Sequence, residues 1–164
     1  MHHILTKTLL LLAIVLAIVS IATPDWTLID LGKNAKGTSG LFRKCGGVEA
    51  DGTKLSSCQT IHDKVPDLKA CQGLAISSVV FLAIALACVF VPMDESKPCR
   101  LVGVGSFLIG LVLMIACVSL YADKVHHSDV LGGKYGYSFY LMVAAIVLAA
   151  GAGGSAMVAN KEMS

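Results

Sequence analysis

Four long blocks of almost unbroken apolar residues, separated by polar segments of very unequal length, set the organisation of this chain. The blocks are Ile4–Ala22, Gly73–Pro92, Leu101–Ala122 and Tyr137–Ala159. At 1.5 Å per helical residue each spans about 28–35 Å, enough to cross a hydrocarbon layer of roughly 30 Å. Lipid offers no partners to backbone N–H and C=O groups, so the blocks are expected to be transmembrane helices. The polar remainder is then 23–72, 93–100, 123–136 and the tail 160–164, and only the first of these is long enough to fold outside lipid. A single tetraspan domain over 1–164 follows.

Finer patterning predicts what the long polar segment does. Thr23-Pro24 ends the first helix, because proline cannot continue it and restricts its predecessor. Trp26 follows at the membrane–water boundary, where an amphipathic indole is favoured. Trp26–Leu31 alternates loosely and predicts a strand, Gly32-Lys33-Asn34 a turn, and Gly40–Cys45 a second strand. Gly46–Gly52, rich in glycine and acid, reads as loop or hairpin, and Lys54–Ile61 as a further strand. Pro66–Ala70 is a short helical run-in to the second span. The second polar loop is long enough to add one strand to the edge of this sheet. The turn 93–100 is so short that the second and third helices must be antiparallel neighbours. The fourth block is crowded with alanine and glycine, and the third carries Gly103, Gly105 and Gly110. Small residues let helices approach closely in lipid, so packing within the bundle is the first expectation and a self-association face the second.

Composition agrees with this layout. Of the 164 residues 55% are hydrophobic, mean hydropathy is +0.76, and only 15% are charged, against about 25% in globular domains. The net charge of +2 comes without a basic run, so no nucleic-acid partner is expected. Nine of the thirteen Lys and Arg fall in 23–72 and 123–136, but the positive-inside bias acts through short loops and helix ends. Lys7, Lys97, Arg100 and Lys161 occupy the short segments. Together with Cys45 and Cys58 in the long polar loop, which suit an oxidising compartment, they place both termini in the cytosol. Lys7, an apolar run and Ser20-Ile21-Ala22 also have the shape of a cleavable leader; the reading adopted here keeps that block as a span.

Candidate chemistry is sparse. Cys45 and Cys58 read as a disulfide closing a short loop, worth about 2–4 kcal/mol, since the ligand spacing of a structural zinc site is absent. Cys71 is expected as a buried thiol, and Cys88 and Cys117 as small apolar residues within spans. Cys99, beside Arg100 at the membrane edge, is either S-acylated or unmodified. His62, His126 and His127 with Asp123 and Asp129 are either exposed loop residues or a zinc- or pH-sensing cluster; exposed residues are the preferred reading, and no metal and no cofactor is expected. No nucleophile-elbow, Walker, HExxH or paired-carboxylate pattern occurs, which argues against an enzyme. No charge lies mid-span, which argues against a transporter or a pore through the bundle. No Asn-x-Ser/Thr sequon is present.

Trp26, then Gly40-Leu41-Phe42, then Cys45 and Cys58 in the first loop of a tetraspan resembles the claudin superfamily, whose pattern is Trp, Gly-Leu-Trp, Cys, Cys. The superfamily also holds peripheral myelin protein, epithelial membrane protein and channel gamma-subunit branches. Pro66–Leu74 and Lys134–Tyr140 look like that superfamily's approaches to its second and fourth helices. The resemblance implies an all-α membrane protein with a small β cap: a left-handed four-helix bundle under an extracellular antiparallel sheet of about four first-loop strands and one second-loop strand. It also implies that the bridge joins two strands, and that Trp26, Leu41 and Phe42 pack between sheet and bundle. Departures are Phe42 for the second tryptophan, a shorter Trp26–Gly40 interval, a longer intercysteine interval, Gln72 where claudins carry arginine, and a tail without a hydrophobic last residue for PDZ capture. These suit an invertebrate or divergent branch.

By resemblance the expected function is non-enzymatic adhesion and barrier or paracellular-channel formation at plasma-membrane cell–cell junctions. The partners would be the lipid bilayer, copies of the chain in cis and a claudin-like protein in trans. Expected contact loops include Gly46, Gly47, Asp51, Gly52, His126 and His127. An auxiliary subunit of an ion channel or receptor is the second expectation. The first loop holds seven basic and six acidic residues, too balanced to assign ion selectivity.

Overall fold

Each apolar block forms one helix in the computed structural model, which describes residues 2–30, 35–50, 53–60, 66–90, 97–125 and 134–162. The helices are α1 (His2–Ala22), α2 (Pro66–Phe90), α3 (Lys97–Leu120) and α4 (Tyr137–Glu162). All four are long and apolar enough to cross a membrane. The run-in Pro66–Ala70 is continuous with α2, because proline is accommodated in a first turn where its missing N–H is not needed. Pro98 sits likewise in the first turn of α3, which starts at Lys97 rather than Leu101. A π-helical turn, Tyr121–Val125, extends α3.

Buried positions recur at helical spacing. They are Leu10, Ala13, Ile14, Ala17 and Ser20 on α1, and Leu68, Cys71, Ala75, Ser78, Leu82 and Ala85 on α2. On α3 and its π turn they are Ser106, Met114, Cys117 and Tyr121, and on α4 Ser138, Met142, Ala145, Ala149 and Ala152. The opposite faces expose Leu11, Val15, Ile18, Val80, Val112 and Val147. Helices apolar on every side suit a bundle whose solvent is lipid. α1 packs mainly on α4 and α2 on α3. Small residues mediate these approaches: Gly103 faces Cys88, Gly110 faces Leu82 and Ser78, and Gly153 faces Phe107. Gly105, Gly151 and Gly154 have open space beside them, so the packing role expected of the small residues holds for only part of the set.

Five strands cap one end of the bundle: β1 (Thr27–Asp30), β2 (Ala35–Ser39), β3 (Arg43–Ala50), β4 (Thr53–Thr60) and β5 (Lys134–Tyr135), in the order β4-β3-β2-β1-β5 and all antiparallel. The second loop therefore supplies the edge strand, with Tyr135 opposite Thr27. The chain belongs to the fold class expected from its sequence.

Ala35–Ser39 lacks the apolar alternation of a strand, yet it is an inner strand, because β1 and β3 satisfy its backbone from both sides. Two local expectations are corrected. Gly40–Phe42 is a corner rather than strand, closed by the Gly40 N–H donating to the Arg43 carbonyl at 2.8 Å. Gly46 and Gly47 lie inside β3, opposite Gly37 and Lys36 on one side and Ser57 and Ser56 on the other. Ladder bonds to two neighbours outweigh the weak strand preference of glycine there. Asp51, Gly52, His62, His126, His127 and Asp129 lie outside the described residues, and with them the expected histidine cluster, the end of one expected contact loop and the histidines of the other. Among the described residues no group of three or more His, Cys, Asp or Glu is placed to hold a metal ion.

Candidate functional site

The sheet is fastened to the bundle through Trp26, which the end of α1 and the start of β1 carry into the centre of the junction. Its side chain is fully buried and its indole N–H donates to the Ser20 carbonyl at 2.8 Å. Its ring lies 4.8 Å from that of Tyr121 and 6.1 Å, edge-on, from Phe139. Phe139 in turn stacks on Tyr135 of β5 at 4.4 Å. These aromatic contacts tie the end of α3, α4 and the sheet into one cluster, with Leu41 fully buried and Phe42 partly buried against it.

Hydrogen bonds complete the joint where backbone groups would otherwise be stranded. Thr27 Oγ1 and the Tyr121 hydroxyl are 2.9 Å apart. The Gln72 side-chain N–H donates to the Leu41 carbonyl at 2.6 Å, so the residue that departs from the claudin pattern still holds the Gly-Leu-Phe corner to α2. Ser20 Oγ donates to the Ser138 carbonyl at 2.6 Å, and the Gly136 N–H donates to the Trp26 carbonyl at 2.9 Å. Two glycines are required by proximity. A methyl on Gly40 would stand 2.5 Å from Pro24 Cα, and one on Gly136 would overlap the Asp25 carbonyl oxygen.

The register divides the sheet into two faces, since alternate residues point to opposite sides. Thr27 and Ser39, paired and buried, point to the bundle. Leu28, Thr38, Cys45 and Cys58 share the other face. Cys45 and Cys58 are bonded as a disulfide between directly opposed residues of β3 and β4. The expected bridge is thus present, and it staples the outward face. Leu28 is 44% exposed on that face, Ser56–Thr60 are exposed along the outer strand, and Lys36, Arg43 and Lys44 are exposed nearby.

The sequence profile of the PMP-22/EMP/MP20/Claudin family matches residues 1–154. The chain belongs to that family. No curated protein matches it. As a member of the PMP-22/EMP/MP20/Claudin family it is a multi-pass membrane protein of a generally non-enzymatic, structural kind. The residues that carried the resemblance, Trp26 and Gly40-Leu41-Phe42, are the ones found at the junction.

Tyr121, Ser20 and Ser138 were not singled out by sequence, although they complete the junction. A hydroxyl-bearing aromatic at the polar end of an apolar block is the signal that Tyr121 offered. Cys71 and Cys117 are fully buried. Cys99 is half-buried.

Proposed function

We propose that this protein is a non-enzymatic adhesion and barrier component of cell–cell contacts, assembling through the outward face of its sheet. The observation that carries the reading is the stapled sheet itself. Its inner face is locked to the bundle by Trp26, Tyr121 and Gln72, while its outer face presents Leu28, Thr38 and the Cys45–Cys58 bridge. Such a platform positions a recognition surface. The disulfide favours an oxidising exterior for the sheet and the cytosol for both termini. In intact cells a membrane-impermeant amine reagent then labels Lys36 and Lys44. Copies would meet in cis within one membrane and claudin-like partners in trans across the gap. Expression in junction-deficient epithelial cells tests the function: accumulation where two expressing cells touch and a change in transepithelial resistance are expected. Even surface distribution with unchanged resistance would refute it.

A specific observation favours a second reading, an auxiliary subunit of a channel or receptor. Gly105, Gly151 and Gly154 leave open ground on the outside of α3 and α4, where another helix fits closely. Co-purification of a channel in mild detergent supports this reading, and a preparation holding only copies of this chain counts against it.

A further inference from the structure

Four cysteines outside the Cys45–Cys58 bridge are free: Cys71, Cys88, Cys99 and Cys117. All four lie on α2 and α3, and the antiparallel packing sets Cys71 against Cys117. Toward the sheet, the Cys117 thiol donates to the Cys71 carbonyl at 3.5 Å, and the Cys71 thiol reaches the Cys117 carbonyl at 3.9 Å. Both side chains are fully buried. The helices are held close on this line because Gly103, Gly110 and Cys117 recur every seven residues on the face of α3 that meets α2. Each thiol reaches the backbone of the facing cysteine, so both sulfurs lie at one close approach of the two helices.

We propose that Cys71 and Cys117 are a redox pair that closes to a second disulfide, clamping α2 to α3 directly beneath the sheet. Full burial restricts the oxidant to a small uncharged molecule, and hydrogen peroxide is the class that fits. One sulfur attacks a peroxide oxygen; the O–O bond breaks, water leaves and a sulfenic acid remains. The facing sulfur then attacks the sulfenic sulfur, the S–O bond breaks, the S–S bond forms and a second water departs. Two thiols are oxidised and one peroxide is reduced to two waters. The clamp would act on the junction, because Gln72, which holds the Leu41 carbonyl, adjoins Cys71, and Tyr121, which holds Thr27, lies one turn beyond Cys117. Cys88, packed on Gly103, and Cys99 lie at the far end of the same helices.

The test uses the full chain in lipid nanodiscs, titrated with hydrogen peroxide until Met114, buried on the same helix, converts to its sulfoxide. Remaining thiols are then alkylated under denaturing conditions and the protein is digested with trypsin without reduction. Cleavage after Lys69, Arg100 and Lys124 yields residues 70–100 and 101–124. The expected result is one joined species with fragmentation placing the bond at Cys71 and Cys117. It persists in the Cys88→Ser/Cys99→Ser protein. Alkylation or hyperoxidation of Cys71 and Cys117 once Met114 is oxidised, or a bond from Cys117 to Cys88 instead, overturns the proposal.

Discussion

The indole N–H of Trp26 donates to the backbone carbonyl of Ser20, six residues earlier, at 2.8 Å. The bond turns the chain back on the end of α1 and seats the ring among Tyr121 and Phe139. Thr23 Oγ1 lies 3.2 Å from that carbonyl but 2.8 Å from that of Val19, and its single proton serves the nearer oxygen. Trp26→Phe therefore strips the Ser20 carbonyl of its indole donor and should cost about 1–3 kcal/mol. Trp26→Ala empties the centre of the junction and should cost about 3–5 kcal/mol. Thermal unfolding of both variants in detergent checks the ranking, and equal losses would mean that the ring fills no essential space.

Glycine substitutions separate close approach from mere composition. Gly40→Ala drives a methyl into the Pro24 backbone, and Gly136→Ala drives one into the Asp25 carbonyl. Backbone cannot rotate aside as a side chain does, so each should cost about 1–3 kcal/mol. Gly151→Ala meets nothing within 4 Å and should be neutral or stabilising, by up to ~1 kcal/mol from helix preference. Melting temperatures of the three variants side by side decide it; a loss in Gly151→Ala matching the other two would contradict the packing described.

The same contrast explains how much was legible in the sequence. Apolar block length read out the four spans, because lipid leaves the backbone no other choice. Trp26, Gly40-Leu41-Phe42, Cys45 and Cys58 stood out through their pattern. The strand Ala35–Ser39 did not, since its pairing is satisfied by β1 and β3, which are neighbours in space and not a property of Ala-Lys-Gly-Thr-Ser. Gly46 and Gly47 misled for the same reason. Tyr121 escaped notice because its partners Thr27 and Trp26 lie across the fold. The facing of Cys71 and Cys117 likewise depends on helix register, which span length leaves open.

Gln72 tests whether the corner is held from α2. Gln72→Leu keeps the bulk and removes the N–H donor from a partly buried Leu41 carbonyl. A loss of about 1–3 kcal/mol is expected from the unpaired oxygen. Gln72→Arg restores donors and should recover most of it. The decisive measurement is hydrogen exchange at Leu41–Arg43, faster in the leucine variant and near parental in the arginine one. Unchanged exchange in both would show that β2 and β3 hold the corner unaided.

Breaking the staple should separate sheet from bundle. Cys58→Ser removes a link worth about 2–4 kcal/mol, from strands already paired over Arg43–Ala50 and Thr53–Thr60. Insertion of the four helices needs no disulfide and should be unaffected, whereas proteolysis within β3 and β4 should accelerate and contact accumulation should fall. Limited proteolysis beside a membrane-extraction assay reads both. Loss of insertion would mean that the helices depend on the sheet, against the order of assembly argued here.

Within the bundle, shape should outweigh polarity. Thr6 Oγ1 and Ser155 Oγ lie 2.8 Å apart between α1 and α4, yet interhelical hydrogen bonds in membranes average only about 0.6 kcal/mol. Ser155→Ala should therefore barely move the unfolding midpoint. Gly110→Ile places a branched side chain where even a methyl would meet Leu82 at 2.9 Å and the Ser78 carbonyl at 3.2 Å. It must push α3 off α2, at about 1–3 kcal/mol or more, and it opens the seam that brings Cys117 to Cys71. Denaturant unfolding in mixed micelles measures both. A larger loss for Ser155→Ala than for Gly110→Ile would put the hydrogen bond, and not the close approach of the helices, in charge of the bundle.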